Sequence, residues 1–166
     1  KGGMVIMVAD DPGPISSQTE QDTRTFAMFS KVPVFDPSSV EEAFQMIQEA
    51  FDWSEKWKSP VFLRATTRVD HGYESIDIPE PSEYRQHSCE GFKKDSSRWV
   101  IFPRLSVVNH AKIEERNAGL SESLSEYSRN FILPAAGSFL KDGEVKKKAI
   151  ATHGINYTYV CDVFIL

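Results

Sequence analysis

The chain has 166 residues, 40% hydrophobic and 26% charged, with a net charge of −5. Those values describe a globular chain with one ordinary core and no sign of disorder. No window approaches the roughly 18–20 apolar residues of a membrane span, and no cationic stretch precedes an apolar one at the start, so no signal peptide is expected. Cys89 and Cys161 are far apart and fit neither a disulfide framework nor a cluster site, which points to a reducing, cytoplasmic setting. Residues 1–60 hold ten acidic and five basic residues, and the rest hold fourteen of each. An acidic first third without a basic stripe argues against a nucleic-acid partner.

The first element is Met4-Val5-Ile6-Met7-Val8-Ala9, an apolar run closed by Asp10-Asp11-Pro12-Gly13-Pro14. Such a run bounded by turn chemistry reads as a buried strand of a parallel sheet. The polar loop after it, from Ile15 to Arg24, lies where an open α/β sheet holds its ligand. Thr19-x-x-Asp22 resembles a helix start, giving a helix over 20–30 that buries Phe26 with Phe29 or Met28. Val32-Pro33-Val34-Phe35 is a short second strand. Ser38-x-x-Glu41 and Ser39-x-x-Glu42 are overlapping capping boxes. Val40, Ala43, Phe44, Ile47, Ala50 and Phe51 then follow at helical spacing, for a helix ending near Trp57. Pro60 to Thr67 is the third strand. The β-α-β-α-β order predicts parallel strands joined by crossover helices.

The pattern changes near residue 70. Residues 72–98 read as a long surface excursion, and Trp99 to Pro103 as an extended segment. Leu105 to about Tyr127 is a charged helix with a sparse stripe of Leu105, Val108, Ile113, Leu120, Leu124 and Tyr127, which Gly119 threatens to interrupt. Asp142-Gly143 marks a turn. Lys148 to Thr152 would be a strand running into a helix from Gly154.

Three constellations carry the chemical options. Asp10-Asp11 after a strand has the look of a phospho-receiver's acidic pair, but the third strand ends Arg64-Ala65-Thr66-Thr67 without the required Asp, so a turn is the better reading. The loop residues Ser16, Ser17, Gln18, Glu20, Gln21 and Asp22 either face a ligand or simply cap a helix. Thr66, Thr67, Arg68 and His71 sit on the same sheet edge. There Arg68 either grips a carboxylate or phosphate or pairs with Asp70. The remaining histidines, His87, His110 and His153, show no metal-ligand spacing.

The chain resembles, from end to end, part of the large (alpha) subunits of the indolepyruvate:ferredoxin oxidoreductase family, which are thiamine-diphosphate-dependent 2-oxoacid:ferredoxin oxidoreductases. The residues carrying this are Gly2-Gly3 through Gly13, Ser16-Ser17-Gln18-Thr19-Glu20-Gln21-Asp22-Thr23-Arg24, and Pro60 through Val69 with His71. Arg98-Trp99-Val100, Pro103, His110, Gly154-Ile155-Asn156-Tyr157 and Tyr159-Val160 extend it. Ile15 departs from the pattern, standing where a bulkier or polar residue is usual, as do Asp70 and Gly72, where small polar residues are expected.

The resemblance implies three parts: residues 1–71 as the second half of a pyrimidine-binding α/β domain with a parallel sheet and flanking helices, 72–146 as a connector with a long helix, and 147–166 as the first βα unit of the next domain. It implies a parent enzyme that oxidatively decarboxylates aryl 2-oxoacids such as indolepyruvate, with ferredoxin accepting electrons and coenzyme A the acyl group. Thiamine diphosphate, Mg2+ and [4Fe–4S] clusters are the implied cofactors, and a smaller beta subunit is the implied partner. The glutamate that activates the cofactor would precede Lys1, Lys141-Asp142-Gly143-Glu144 is not the diphosphate-binding motif, and two cysteines cannot ligate a cluster. The chain is therefore expected to hold no catalytic or metal residue and to be inactive alone. Its cofactor- or substrate-facing residues would be Ser16, Ser17, Gln18, Glu20, Gln21, Asp22, Thr66, Thr67, Arg68 and His71. Its apolar ends, Lys1-Gly2-Gly3 leading straight into a strand and Val163-Phe164-Ile165-Leu166, suggest a piece of a longer polypeptide, with self-association through exposed edges. A flavodoxin-like binding module or a subunit-interaction segment without catalysis remains the alternative.

Overall fold

The computed structural model describes residues 2–84, 91–131 and 150–164. Three strands form one sheet: β1 (Val5–Asp10), β2 (Val34–Phe35) and β3 (Val61–Thr66), in the order β1-β3-β2. Both pairings are parallel, with Val5 opposite Val61, Asp10 opposite Thr66, and Val34 opposite Phe62. The parallel sheet with flanking helices expected from the β-α alternation is present. β3 is central and buried along its whole length, whereas β1 is an edge strand with Ile6 and Met7 exposed.

Helix α1 (Arg24–Ser30) joins β1 to β2, and α2 (Val40–Trp57) joins β2 to β3. α2 begins as the capping chemistry predicts. Ser39 Oγ accepts the Glu42 N–H at 3.1 Å, and Glu42 Oε2 reaches back to the N–H and hydroxyl of Ser38, both at 2.7 Å. The two overlapping boxes thus merge into one, with the return bond made to the residue before the cap. Phe35, Met46, Ala50, Val61 and Leu63 form the core beneath α2, joined by Val5, Ile47, Trp53 and Tyr127. Burying side chains of this size contributes roughly 1.5–3 kcal/mol each. At the far end, Ser54 Oγ accepts the Met4 N–H at 2.8 Å and donates to the Ser59 carbonyl at 2.6 Å, so a buried hydroxyl pins the start of β1.

The first helix departs from expectation. It starts at Arg24, because Gln21 pairs antiparallel with Asp11 and the Thr23 N–H is held by Asp10. Its buried residue is Ala27, while Phe26, Met28 and Phe29 are 54%, 82% and 82% exposed. Phe26 reaches the sheet, its ring tilted against that of Phe62 with centroids 6.0 Å apart.

After β3 come the single turn α3 (Thr67–Asp70), the short α4 (Ser96–Trp99), the long α5 (Pro103–Ser125) and α6 (Ile155–Phe164). The predicted extended segment begins only at Val100, since Asp95 caps the turn holding Trp99. α5 runs unbroken through Gly119, where a Cβ would meet the Trp57 ring at 3.0 Å. The glycine permits close helix approach there and does not end the helix. Of the predicted α5 stripe, Leu120 is buried but Val108 is exposed, so this helix touches the sheet layer mainly at its C-terminal end. Tyr127 packs edge-on against both Phe35 and Trp53, at 5.2 and 5.9 Å, and its hydroxyl bonds to Glu49, which Arg129 also grips at 2.7 Å. Burial and the Glu49 carboxylate push the Tyr127 phenol up. The expected strand over Lys148–Thr152 is absent at Ile150–Thr152, Lys148 and Ala149 lying outside the described residues, but a helix does follow Gly154. Asp142-Gly143, His87 and Cys89 also lie outside them, and Cys161 is a free thiol.

Candidate functional site

The carboxyl ends of β1 and β3 carry an ionic network that begins with Arg64. A strand reading Val-Phe-Leu-Arg-Ala-Thr places a guanidinium inside the sheet, where it needs compensation. Arg64 is 2% exposed. Its Nε donates to Asp10 at 2.6 Å, its Nη1 to Asp36 at 3.1 Å, and Asp22 lies 3.7 Å from Nη2. Asp10 uses the same oxygen to accept the N–H and hydroxyl of Thr23, at 2.7 and 2.9 Å. Its other oxygen and the hydroxyl of Thr66, its partner across the ladder, are buried without a hydrogen-bond partner among the described residues.

Asp11 shapes the loop. One carboxylate oxygen accepts the N–H groups of Ile15, Ser16 and Ser17 at 3.0, 2.7 and 2.8 Å, and the other accepts the Thr67 hydroxyl at 2.7 Å. The Thr67 bond first, then those N–H groups, hold its pKa down at about 2. Asp22, bonded by Arg24, is held equally low, at about 2. The acidic pair is thus a scaffold for a turn, as the turn reading expected, and each carboxylate serves a different side of it.

Residues 150–164 close over this edge. His153 Nδ1 lies 2.5 Å from Asp36 Oδ2, and its Nε2 lies 3.1 Å from Arg24 Nη1. Because a guanidinium only donates, Nε2 accepts and the ring proton on Nδ1 points at Asp36. Gly154 sits at φ +52°, with a would-be Cβ 2.5 Å from Asp36 Oδ1, so only glycine allows this approach. The Thr158 hydroxyl donates to the Ser38 carbonyl at 3.2 Å. The Arg68 guanidinium stacks 4.8 Å from the Tyr159 ring centroid. Together these elements enclose a crevice of about 200 Å³, walled by Pro12, Ile15, Arg24, Arg68, Asn156 and Tyr159 among others.

Of the residues expected to face a ligand, Thr66, Thr67 and Arg68 line this crevice. His71 instead ends α3 as its C-cap. Ser16 and Ser17 contribute backbone N–H groups to Asp11, and the Ser17 hydroxyl turns to the Thr19 carbonyl. Gln21 pairs with Asp11 through its backbone, and Gln18 and Glu20 stand exposed. Asp22 binds Arg24. From that loop the crevice takes Pro12 and Ile15, not the residues from Ser16 to Asp22. Among the described residues Arg68 has no carboxylate partner, so the Asp70 pairing is not made. Sequence reading gave no site role to Arg64, Asp36 or Tyr159, and set His153 aside for want of metal-ligand spacing. The available signal was a lone arginine within an otherwise apolar strand.

Fold and crevice define a parallel α/β unit with a small-molecule-sized site at the carboxyl ends of its strands. The chain is 40% identical over 163 residues to indolepyruvate oxidoreductase subunit IorA of Thermococcus kodakarensis, which covers 96% of this chain and 24% of that protein. IorA of Pyrococcus abyssi is 36% identical over 162 residues, and that of Methanothermobacter thermautotrophicus 32% over 162, with similar coverage. Over this stretch the chain is homologous to a segment of these IorA subunits. It spans about a quarter of the length of the curated relatives it matches. No family model and no solved structure matches it.

Proposed function

We propose that the whole protein is an oxidoreductase acting on 2-oxoacids such as indolepyruvate, and that this unit forms one wall of its substrate site. The carrying observation is the crevice at the strand ends, where Arg68 lies free of any carboxylate among the described residues and the Thr66 hydroxyl lacks a partner. Arg68 is positioned to grip an anionic oxygen, and its guanidinium stacks on the Tyr159 ring at the crevice wall. On this reading ferredoxin takes the electrons, coenzyme A takes the acyl group, and a smaller beta subunit completes a cytoplasmic assembly. Among the described residues no helix is long and apolar enough to cross a membrane.

The donor set here does not suit magnesium or an iron–sulfur cluster. Asp10, Asp11 and Asp36 are each engaged by Arg64, by Thr67 and backbone N–H groups, or by His153. No cluster of three or more His, Cys, Asp or Glu capable of holding a metal occurs among the described residues. On this reading thiamine diphosphate, Mg2+ and [4Fe–4S] clusters belong to other parts of the whole enzyme, and this chain alone is expected to be inactive.

The test is indolepyruvate-dependent reduction of ferredoxin or a viologen dye by the full-length subunit with its partner. Absence of that activity from the complete, cofactor-loaded complex would refute the reading. The alternative, an α/β module serving binding or subunit interaction only, draws on the exposed apolar Ile6, Met7, Phe26, Met28 and Phe29. Such a surface suits the rest of a large subunit or a second copy. Tight binding of thiamine diphosphate with magnesium by the full-length protein, compared with this chain alone, separates the two.

A further inference from the structure

Ile15 is 73% exposed, yet it is not loosely held. Its own N–H and those of the next two residues are clamped on one Asp11 oxygen, and Pro12 and Pro14 stiffen the approach. A solvent-exposed isoleucine is ordinary by itself. One fixed at the wall of a crevice is an ordered apolar surface that a ligand can cover without first ordering a loop. Ile155 and Tyr159, four residues apart on α6 and so on one helix face, line the same space. The opposite character comes from Arg68, which lines it without a carboxylate partner among the described residues, whereas Arg24 and Arg64 are already paired with Asp22, Asp10 and Asp36. Its volume of about 200 Å³ compares with the roughly 150 Å³ cavity that accepts benzene. An aromatic or branched apolar group fits, while a lone methyl would leave most of it wet.

We propose that Ile15, Ile155 and Tyr159 form the side-chain subsite, selecting 2-oxoacids with an aromatic or bulky apolar tail whose carboxylate lies toward Arg68. This rests on the 2-oxoacid reading above and adds the residues that set specificity. Ile15 contacts the substrate tail and not the reacting atoms, so it governs selectivity between substrates.

The experiment compares the full-length complex carrying Ile15→Ser or Ile15→Leu with the unchanged enzyme. Indolepyruvate, phenylpyruvate, 4-methyl-2-oxopentanoate and pyruvate serve as substrates, and calorimetry measures binding of non-reacting indole-3-acetate. Because Ile15 is exposed and held through its backbone, neither variant should disturb folding. Ile15→Ser is expected to lower kcat/KM for the aryl acids relative to pyruvate about 10- to 100-fold, and to weaken indole-3-acetate similarly, while Ile15→Leu keeps both near the parent values. Oxidation of 2-oxoacids with an unchanged aryl-to-pyruvate ratio would overturn the subsite and leave the function standing. Ile15-dependent binding of indole-3-acetate by a complex that oxidises no 2-oxoacid would overturn the function and leave the subsite. Neither binding nor oxidation would overturn both.

Discussion

The two surroundings of β3 solve the problem of burial in opposite ways. Toward α2, Val61 and Leu63 disappear into an apolar layer with Phe35, Met46 and Ala50, where energy follows area and any well-shaped aliphatic group would serve. At its carboxyl end, Arg64 is equally buried but survives only because Asp10, Asp36 and Asp22 surround it. The first arrangement is forgiving and stabilising. The second is unforgiving, contributes little net stability and fixes positions. Its reach is longer, since Asp36 also holds His153 and closes Gly154 over the crevice.

Removing one partner of the ionic region should have the largest effect. Arg64→Ala leaves Asp10 as a buried carboxylate without its counter-charge, at an expected loss of about 3–5 kcal/mol. Thermal or urea melts would show it, and Arg64→Met combined with Asp10→Asn should recover much of the loss. A double variant no more stable than the single one would break the contrast drawn between the two regions. In the apolar region, Leu63→Ala should lose about 2–5 kcal/mol by leaving a cavity. In the assembled enzyme it should change stability more than the KM for substrate, provided the melt stays above the assay temperature.

Arg68→Ala should do the reverse. Its exposed stacking on Tyr159 is worth only about 0.5–1 kcal/mol. A lost charge-assisted contact to substrate would instead reduce turnover or affinity about tenfold to a hundredfold. Unchanged kinetics with a lowered melting temperature would assign Arg68 to structure.

The smallest effect concerns the loop clamp and acid. The folded state lowers the Asp11 pKa from 3.8 to about 2. Its contribution is therefore complete above about pH 4 and is lost as pH falls through about 2. The amide protons of Ile15, Ser16 and Ser17 should lose their hydrogen-bonded chemical shifts over that window, and Asp11→Asn should weaken them at neutral pH. Titration of these amides near pH 4, with no depression, would remove Asp11 as the clamp.

Much of the frame was legible in the chain. The six-residue apolar run, the Ser39-x-x-Glu42 cap and the spacing of Val40 through Phe51 are local signals, and β1, α2 and β3 follow from them. The start of α1 was not legible, because Thr19-x-x-Asp22 is a good local cap that lost to a distant partner: Asp10 took Thr23, and Asp11 paired with Gln21. The ends of α1 and α2 fall at Ser30 and Trp57, as the chain predicts, without a glycine to mark either stop. Lys31 and Lys58 occupy the left-handed conformation where a glycine would have advertised the stop.

The sequence by itself determined the three strands, α2 and α5, the parallel sense of the sheet and the edge where ligands belong, since periodicity, capping and crossover length act within about 20 residues. The family resemblance lay in the same local motifs. Only the tertiary structure decided that β3 inserts between β1 and β2, leaving β1 at the edge with its apolar residues uncovered. It alone brought Asp10, Asp36, Arg64 and His153 together and turned Tyr159 toward Arg68. Those contacts join residues 28 to 117 positions apart. Charge pairing across such distances is set by which groups must be compensated when they are buried together, and no local pattern records that.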